Sequence, residues 1–210
     1  ESDRQVHRAN VVRDELRHRM GNIYAQMSSL VSLMGRSFES REELVARLQE
    51  RIAALAATQA LLTQGSASGV SLACVARDSL AAYRNMTQQS RIAVQEGDDL
   101  SISQRCVFAA TLMFGELASN AVRHGALAAP DGRVHFGWRR DGDMVRLDWK
   151  ESGIVLDDGT VGDGAPRRVG FGSAILGRIV PAEFGGKAEL VREPDGIRYV
   201  LTAPYDRCCT

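Results

Sequence analysis

The 210-residue sequence lacks an excess of charge of either sign, since 26 Lys and Arg residues balance 26 Asp and Glu residues. Nucleic acids and anionic membrane surfaces attract proteins with a net positive charge. The balance therefore predicts neither nucleic acid nor a membrane surface as a partner. Long apolar runs are also missing, because no stretch approaches the roughly 18 apolar residues that a transmembrane helix needs. We expect no membrane span in this chain.

Cysteine is scarce, and its four residues form no C-x-x-C pair. Cys208 and Cys209 are adjacent at the end of the sequence, whereas Cys74 and Cys106 stand apart. This spacing fits neither a disulfide framework nor a zinc site, and it predicts a reducing, cytoplasmic compartment. The sequence begins ESDRQVHR, without an initiator Met or a signal-peptide core, so we interpret the chain as a fragment of a longer protein.

Apolar residues make up 44% of the chain, and their spacing divides it into two regions. Proline is absent from residues 3–34, where apolar residues alternate at spacings of four and three, as in a heptad seam. Ser40 and Glu43 form a capping box before a second segment of the same kind. Because a lone pair of helices cannot bury two such seams, we predict that residues 1–65 form a helical hairpin that dimerises into a four-helix bundle.

Residues 66–210 show a different pattern, in which strands and helices occur without regular alternation. We predict an α+β domain with a mixed sheet and helices on one face. An Asp-Gly pair at Asp141-Gly142 predicts a hairpin turn, and the Gly-, Asp- and Pro-rich stretch 152–172 predicts a loop. Helices are predicted at 71–83, 103–124 and 173–184, and strands at 90–95, 133–140, 144–151, 187–193 and 197–204.

His18 lies in the first helical segment, at the heptad position farthest from the seam, so it projects outward. Glu15 and Asn22 lie three residues before it and four residues after it, on the same face of the helix. A neutral imidazole is nucleophilic through one nitrogen when a partner holds the proton on the other. His18 is therefore a candidate phosphoryl acceptor, and a solvated surface histidine is the alternative.

Four motifs, in this order along the chain, resemble those of the HWE-type sensor histidine kinases and their close relatives. They are ELRHRMGN at 15–22, ELASNAVRHGAL at 116–127, LDWKESG at 147–153 and GFGSAI at 170–175. The resemblance implies a dimerisation and histidine phosphotransfer hairpin at 1–65, followed at 66–210 by a catalytic ATP-binding domain with a GHKL-type α/β sandwich. It also implies ATP and Mg²⁺ as cofactors, a response-regulator receiver domain as partner, and a sensor domain outside this fragment.

The resemblance further assigns roles to single residues. His18 is the acceptor with Glu15 and Asn22 beside it, Asn120 is the Mg²⁺ ligand, and Glu151 accepts the adenine amino hydrogen bond. Glu116 and Arg123 share one helix face with Asn120, and the apolar residues around them predict that this line of three is buried. Trp149 is interpreted as a core aromatic residue. The resemblance places Glu116 near the Mg²⁺ through water and Arg123 at the phosphates. The remaining candidates for nucleotide binding are His124, Gly153, Gly170, Gly172 and Ser173.

The sequence departs from the family pattern at three places. Gly21 replaces a lysine, Gly115 replaces the histidine of the second motif, and ESGIVLDD at 151–158 replaces a Gly- and Pro-rich turn. Two other functions therefore stay open beside the kinase. One is a phosphotransfer or adaptor protein with a degenerate ATP site. The other is a phosphatase of the response regulator, in which Asn22 orients the attacking water.

Overall fold

The computed structural model describes residues 69–86, 91–95, 97–154 and 171–210. All of these lie in the second predicted domain. The predicted helical hairpin at 1–65 lies outside the described residues, and so do His18, Glu15, Asn22 and Gly170. The hairpin, its dimerisation and the boundary near residue 65 stay predictions.

The described residues form the mixture of helices and strands that the sequence pattern predicts. The helices are α1 (Leu72–Met86), α2 (Gln104–His124), α3 (Phe171–Ala174), α4 (Val180–Phe184) and α5 (Tyr205–Cys208), with a π turn at Ile175–Ile179 and a 3₁₀ turn at Ala126–Ala128. The strands are β1 (Val70–Ser71), β2 (Ile92–Gln95), β3 (Ser101–Ile102), β4 (Arg133–Asp141), β5 (Met144–Ser152), β6 (Lys187–Glu193) and β7 (Gly196–Pro204).

Five strands form one mixed sheet in the order β2-β4-β5-β7-β6. The β2–β4 pair is parallel, and the other three pairs are antiparallel. Strands β4 and β5 join through the predicted Asp-Gly turn, where Gly142 has φ +60°. A left-handed backbone at this point favours glycine, which explains why a two-residue turn can connect these strands.

Alternation along the strands places the core on one face of the sheet. Val134, Phe136 and Trp138 of β4 are buried, whereas the residues between them are half-buried or exposed. Helix α2 covers this apolar face, and the ring of its Phe114 meets that of Phe136 edge to face, with centroids 4.8 Å apart. Burial of such aromatic side chains contributes much of the stability of a layered domain. The predicted helix-on-sheet architecture is confirmed for the described domain.

Two short elements and one helical irregularity do not follow from the sequence pattern. Strands β1 and β3 pair antiparallel as a separate ladder of two residues each. The helix predicted at 173–184 contains the π turn, which is followed by Pro181. In the part of the chain that the structure describes, no helix combines the length and apolar character that a bilayer crossing requires.

Candidate functional site

A cavity of about 360 Å³ opens where the end of α2, the end of β5 and the α3–π turn segment meet strands β6 and β7. This volume is within the range of small-molecule sites, about 300–1,000 Å³. Four of the polar lining residues, Asn120, His124, Glu151 and Ser173, come from three of the sequence motifs that are far apart along the chain. The lining consists of Asn120, His124, Gly125, Glu151, Ser173, Leu176, Gly177, Ala188, Leu190, Ile197 and Tyr199.

Glu151 supplies a carboxylate to this cavity although its side chain is only 4% exposed. Its Oε2 accepts a hydrogen bond from the backbone N–H of Ala126 at 2.8 Å, and its Oε1 accepts one from Nε1 of Trp149 at 3.2 Å. Burial raises the pKa of Glu151, and the two hydrogen bonds act in the opposite direction. A carboxylate with two oxygens has further lone pairs, so Glu151 can still accept a hydrogen bond from a ligand.

Trp149 has two roles in the structure. Its ring is 1% exposed, which agrees with the interpretation as a core aromatic residue. Its indole N–H also fixes one oxygen of Glu151, two residues further along β5. A buried indole N–H needs an acceptor, so the pair satisfies both groups and holds the carboxylate in one orientation.

The other oxygen of Glu151 is fixed by the turn that follows α2. Gly125 ends this helix so close to the carboxylate that a Cβ at this position would collide with Oε2. Arg91 secures the same turn, because its guanidinium donates to the carbonyl of Leu127 at 2.5 Å and to that of Ala129 at 2.6 Å. Sequence reasoning missed both residues, since their contacts with the site depend on chain segments that are distant in sequence.

Glu116 and Asn120 lie one helical turn apart on α2. Glu116 is 1% exposed, and Asn120 is half-buried at the cavity. Gly172 packs directly on this pair, because a Cβ there would collide with Oε2 of Glu116 and lie 3.8 Å from Nδ2 of Asn120. The structure therefore brings the glycine of the fourth motif against the acidic and amide side chains of the second. Ser173, the next residue, is exposed and lines the cavity.

The prediction that Glu116, Asn120 and Arg123 form one buried line was wrong for Arg123. Arg123 is exposed near the C-terminal end of α2, although Ala121 before it and Gly125 after it are buried. His124 is also exposed but lines the cavity. Gly153 lies at the end of β5 with φ +78°, where its backbone approaches the carbonyl of Asp131, and it is not part of the lining.

Oxygen ligands for a hard cation are present on α2. Asn120 offers an amide oxygen at the cavity, and Glu116 offers a carboxylate one turn before it. In the ranges of the chain given above, no cluster of three or more His, Cys, Asp or Glu residues is arranged to hold a metal ion. This set fits Mg²⁺, which binds through one or two protein ligands, water and the phosphates of a substrate. Asn120 is the residue of this pair that lines the cavity and could hold such an ion.

The sequence of the chain is similar to those of histidine kinases from bacteria. The profile of the HWE histidine kinase family matches residues 15–99. Blue-light-activated histidine kinase 1 of Erythrobacter litoralis is 33% identical over 141 residues, which are 66% of this chain and 39% of that protein. A blue-light-activated histidine kinase of Brucella anthropi is 29% identical over 198 residues, or 92% of this chain and 39% of the relative. The chain thus spans about two fifths of the length of these relatives.

Solved structures show the same architecture. The blue-light activated histidine kinase of Erythrobacter litoralis superposes with a TM-score of 0.67 at 15% identity, covering 90% of this chain and 59% of that one. The isolated histidine kinase domain from the same organism gives a TM-score of 0.56 at 17% identity, covering 89% and 95%. At this level of identity the likeness shows the fold, which is that of the GHKL-type catalytic domain expected from the motifs.

Proposed function

Since this chain is a relative of the HWE-type sensor histidine kinases, we propose that it is the phosphoacceptor and catalytic core of such a kinase. In this proposal the described domain binds Mg-ATP, and the γ-phosphoryl group passes to His18 on the predicted hairpin of a homodimer. The phosphoryl group is then transferred to an aspartate of a response-regulator receiver domain.

The observation that carries the proposal is the convergence of three motifs on one cavity. Asn120 of the second motif, Glu151 of the third and Ser173 of the fourth all line it, although they are separated by dozens of residues in sequence. Phosphoryl transfer depends mainly on positioning the nucleotide and on stabilising phosphate charge. The cavity meets these needs with two groups. The amide of Asn120 can hold Mg²⁺, and the buried carboxylate of Glu151 can accept a hydrogen bond from a ligand N–H.

Each side chain has a distinct task in this proposal. Glu151 accepts a hydrogen bond from the adenine amino group, and its orientation is fixed beforehand by Trp149 and Ala126. The apolar side chains of Leu176 and Ile197 line the same cavity and offer contacts to the flat base. Asn120 and Glu116 orient the Mg²⁺ that offsets phosphate charge. His18 accepts the phosphoryl group on its neutral imidazole nitrogen.

The binding step separates a kinase from an adaptor that has the same architecture. We expect isothermal titration calorimetry to show a 1:1 complex of each domain with a non-hydrolysable ATP analogue, in the presence of Mg²⁺. Affinity should fall when Mg²⁺ is omitted, because the ion joins Asn120 to the phosphates. A matched control is Asn85→Ala, which removes an amide on α1 outside the cavity lining. Absence of binding by the wild-type chain would overturn the kinase proposal and favour the adaptor.

A further inference from the structure

The helical segment beside the cavity contains one backbone carbonyl that no helical donor can reach. In the π turn Ile175–Ile179, the N–H of Val180 donates to the carbonyl of Ile175, five residues earlier. In a regular α-helix that N–H would serve the carbonyl of Leu176 instead. The donor that continues the π pattern would belong to residue 181, which is proline and has no N–H. Leu176 therefore loses both of its helical partners.

The hydroxyl group of Tyr199 replaces the missing donor. It donates to the carbonyl of Leu176 at 2.9 Å, across from β7 to the π turn. Tyr199 is only 2% exposed, and Leu176 only 6%. Burial raises the pKa of Tyr199, so the hydroxyl keeps the proton that it donates. A buried carbonyl without any partner is strongly disfavoured, so this hydrogen bond stabilises the π turn.

Pro181 forces a choice between two windings of this segment. In the α winding, the carbonyl of Gly177 would lack a donor, because its partner would be residue 181. In the π winding, the carbonyl of Leu176 lacks one. Gly177 is exposed, so water can solvate its carbonyl, whereas the buried carbonyl of Leu176 depends on Tyr199. The tyrosine hydroxyl thus gives the buried carbonyl of Leu176 the donor that the π winding otherwise lacks, and so stabilises this winding.

The winding matters because it places residues that line the cavity. Ser173, Leu176 and Gly177 line it from the α3–π turn segment, and Tyr199 lines it from β7. We propose that Tyr199 is a positioning residue for the nucleotide site, whose hydroxyl selects the π winding and so sets where Leu176 and Gly177 stand against the ligand. The role in nucleotide binding rests on the function proposed above. The choice of winding does not.

A double-mutant cycle tests this inference in the full chain. Tyr199→Phe keeps the ring and removes the hydroxyl, and Pro181→Ala restores the backbone N–H. In the Pro181 background, we expect Tyr199→Phe to weaken binding of the ATP analogue at least fivefold and to raise the KM for ATP with little change in kcat. In the Pro181→Ala background, the loss should be less than twofold, because the new N–H completes the helical donors of either winding and neither then depends on the hydroxyl. Tyr205→Phe is the matched control and should leave binding unchanged.

Equal losses in the two backgrounds would overturn the inference, because they would show that the hydroxyl does not act through the carbonyl of Leu176. A second readout needs no nucleotide. In the unliganded protein, the amide resonance and hydrogen exchange of Val180 should change in Tyr199→Phe and not in Tyr205→Phe. An unchanged Val180 amide would also overturn it. If wild type fails to bind the analogue while Val180 responds as expected, the proposed kinase function fails and the role of Tyr199 in the winding stands.

Discussion

Replacing Glu151 by alanine should weaken the fold as well as nucleotide binding. The change removes the acceptor of two buried donors, the N–H of Ala126 and Nε1 of Trp149. An unpaired buried donor costs about 1–3 kcal/mol. Removing the carboxyl group also relieves the cost of its own burial, which is the cause of its raised pKa. Since these effects partly cancel, we expect a net loss of about 1–3 kcal/mol in the free energy of unfolding.

The effect should depend on pH with a definite sign. The folded protein holds the proton of Glu151 more tightly than the unfolded chain does, because burial raises the folded-state pKa. The contribution of Glu151 to stability is therefore greatest below the ordinary glutamate pKa of about 4.3 and falls as the pH rises through the raised value. Alanine does not titrate. The difference in stability between wild type and variant should thus be largest at low pH and narrow as the pH rises.

Urea denaturation at a series of pH values measures this difference. Glu189→Ala is the control, because it removes an exposed carboxylate from the edge strand β6 and should change stability little at any pH. Calorimetry on the same variants should show that Glu151→Ala weakens nucleotide binding by about 1–3 kcal/mol. Equal stability of Glu151→Ala and wild type throughout the series, or a difference that widens with pH, would refute the role of the carboxylate described here.

Three further predictions concern other parts of the domain. Asn120→Ala should abolish autophosphorylation in the presence of Mg²⁺ and leave the thermal midpoint unchanged, because the half-buried amide faces the cavity; full activity would contradict its role. Gly177→Leu should reduce nucleotide affinity at least tenfold, because Gly177 lines the cavity and a leucine side chain would take up space in it. The fold should keep its stability, since a Cβ at this position meets no atom within 4 Å. Arg178→Leu is the control for this variant in calorimetry. Asp148→Asn should cost less than about 1 kcal/mol at neutral pH. Burial raises the pKa of Asp148, but Arg198 and Arg146 together bring it below its ordinary value, so urea titration should show this cost vanishing as the pH falls through the lowered pKa.

Elements set by local chemistry could be predicted from the sequence. Helix α2 follows from a long apolar stretch, and the β4–β5 hairpin follows from alternation on both sides of Asp141-Gly142. The β1–β3 ladder could not be predicted, because each strand has only two residues and no period is visible in so short a segment. The π turn was hidden for another reason. Pro181 indicates that the helix is irregular, but the form of the irregularity depends on Tyr199, which belongs to strand β7.

The candidate site likewise has residues that the sequence predicts and contacts that it does not. Glu116, Asn120 and Glu151 were predicted from motifs, and their placement on α2 and at the end of β5 agrees with the helical and strand periods. The contacts that fix Glu151 and Glu116 were not predicted. Ala126 and Gly172 meet Glu151 and Glu116 only because the sheet and the helices bring distant segments together. Spacing along the chain carries no information about such contacts, which explains why the tyrosine at the cavity was also missed.

The proposed phosphorylation of His18 by this domain is tested most directly by one labelling experiment. The chain is incubated with γ-labelled ATP and Mg²⁺, and the label is assayed after treatment with acid and with base, beside His18→Ala and the control His7→Ala. A phosphorus–nitrogen bond predicts label that is lost in acid, kept in base, absent from His18→Ala and present in His7→Ala. Label that survives acid, or that persists in His18→Ala, would contradict the account.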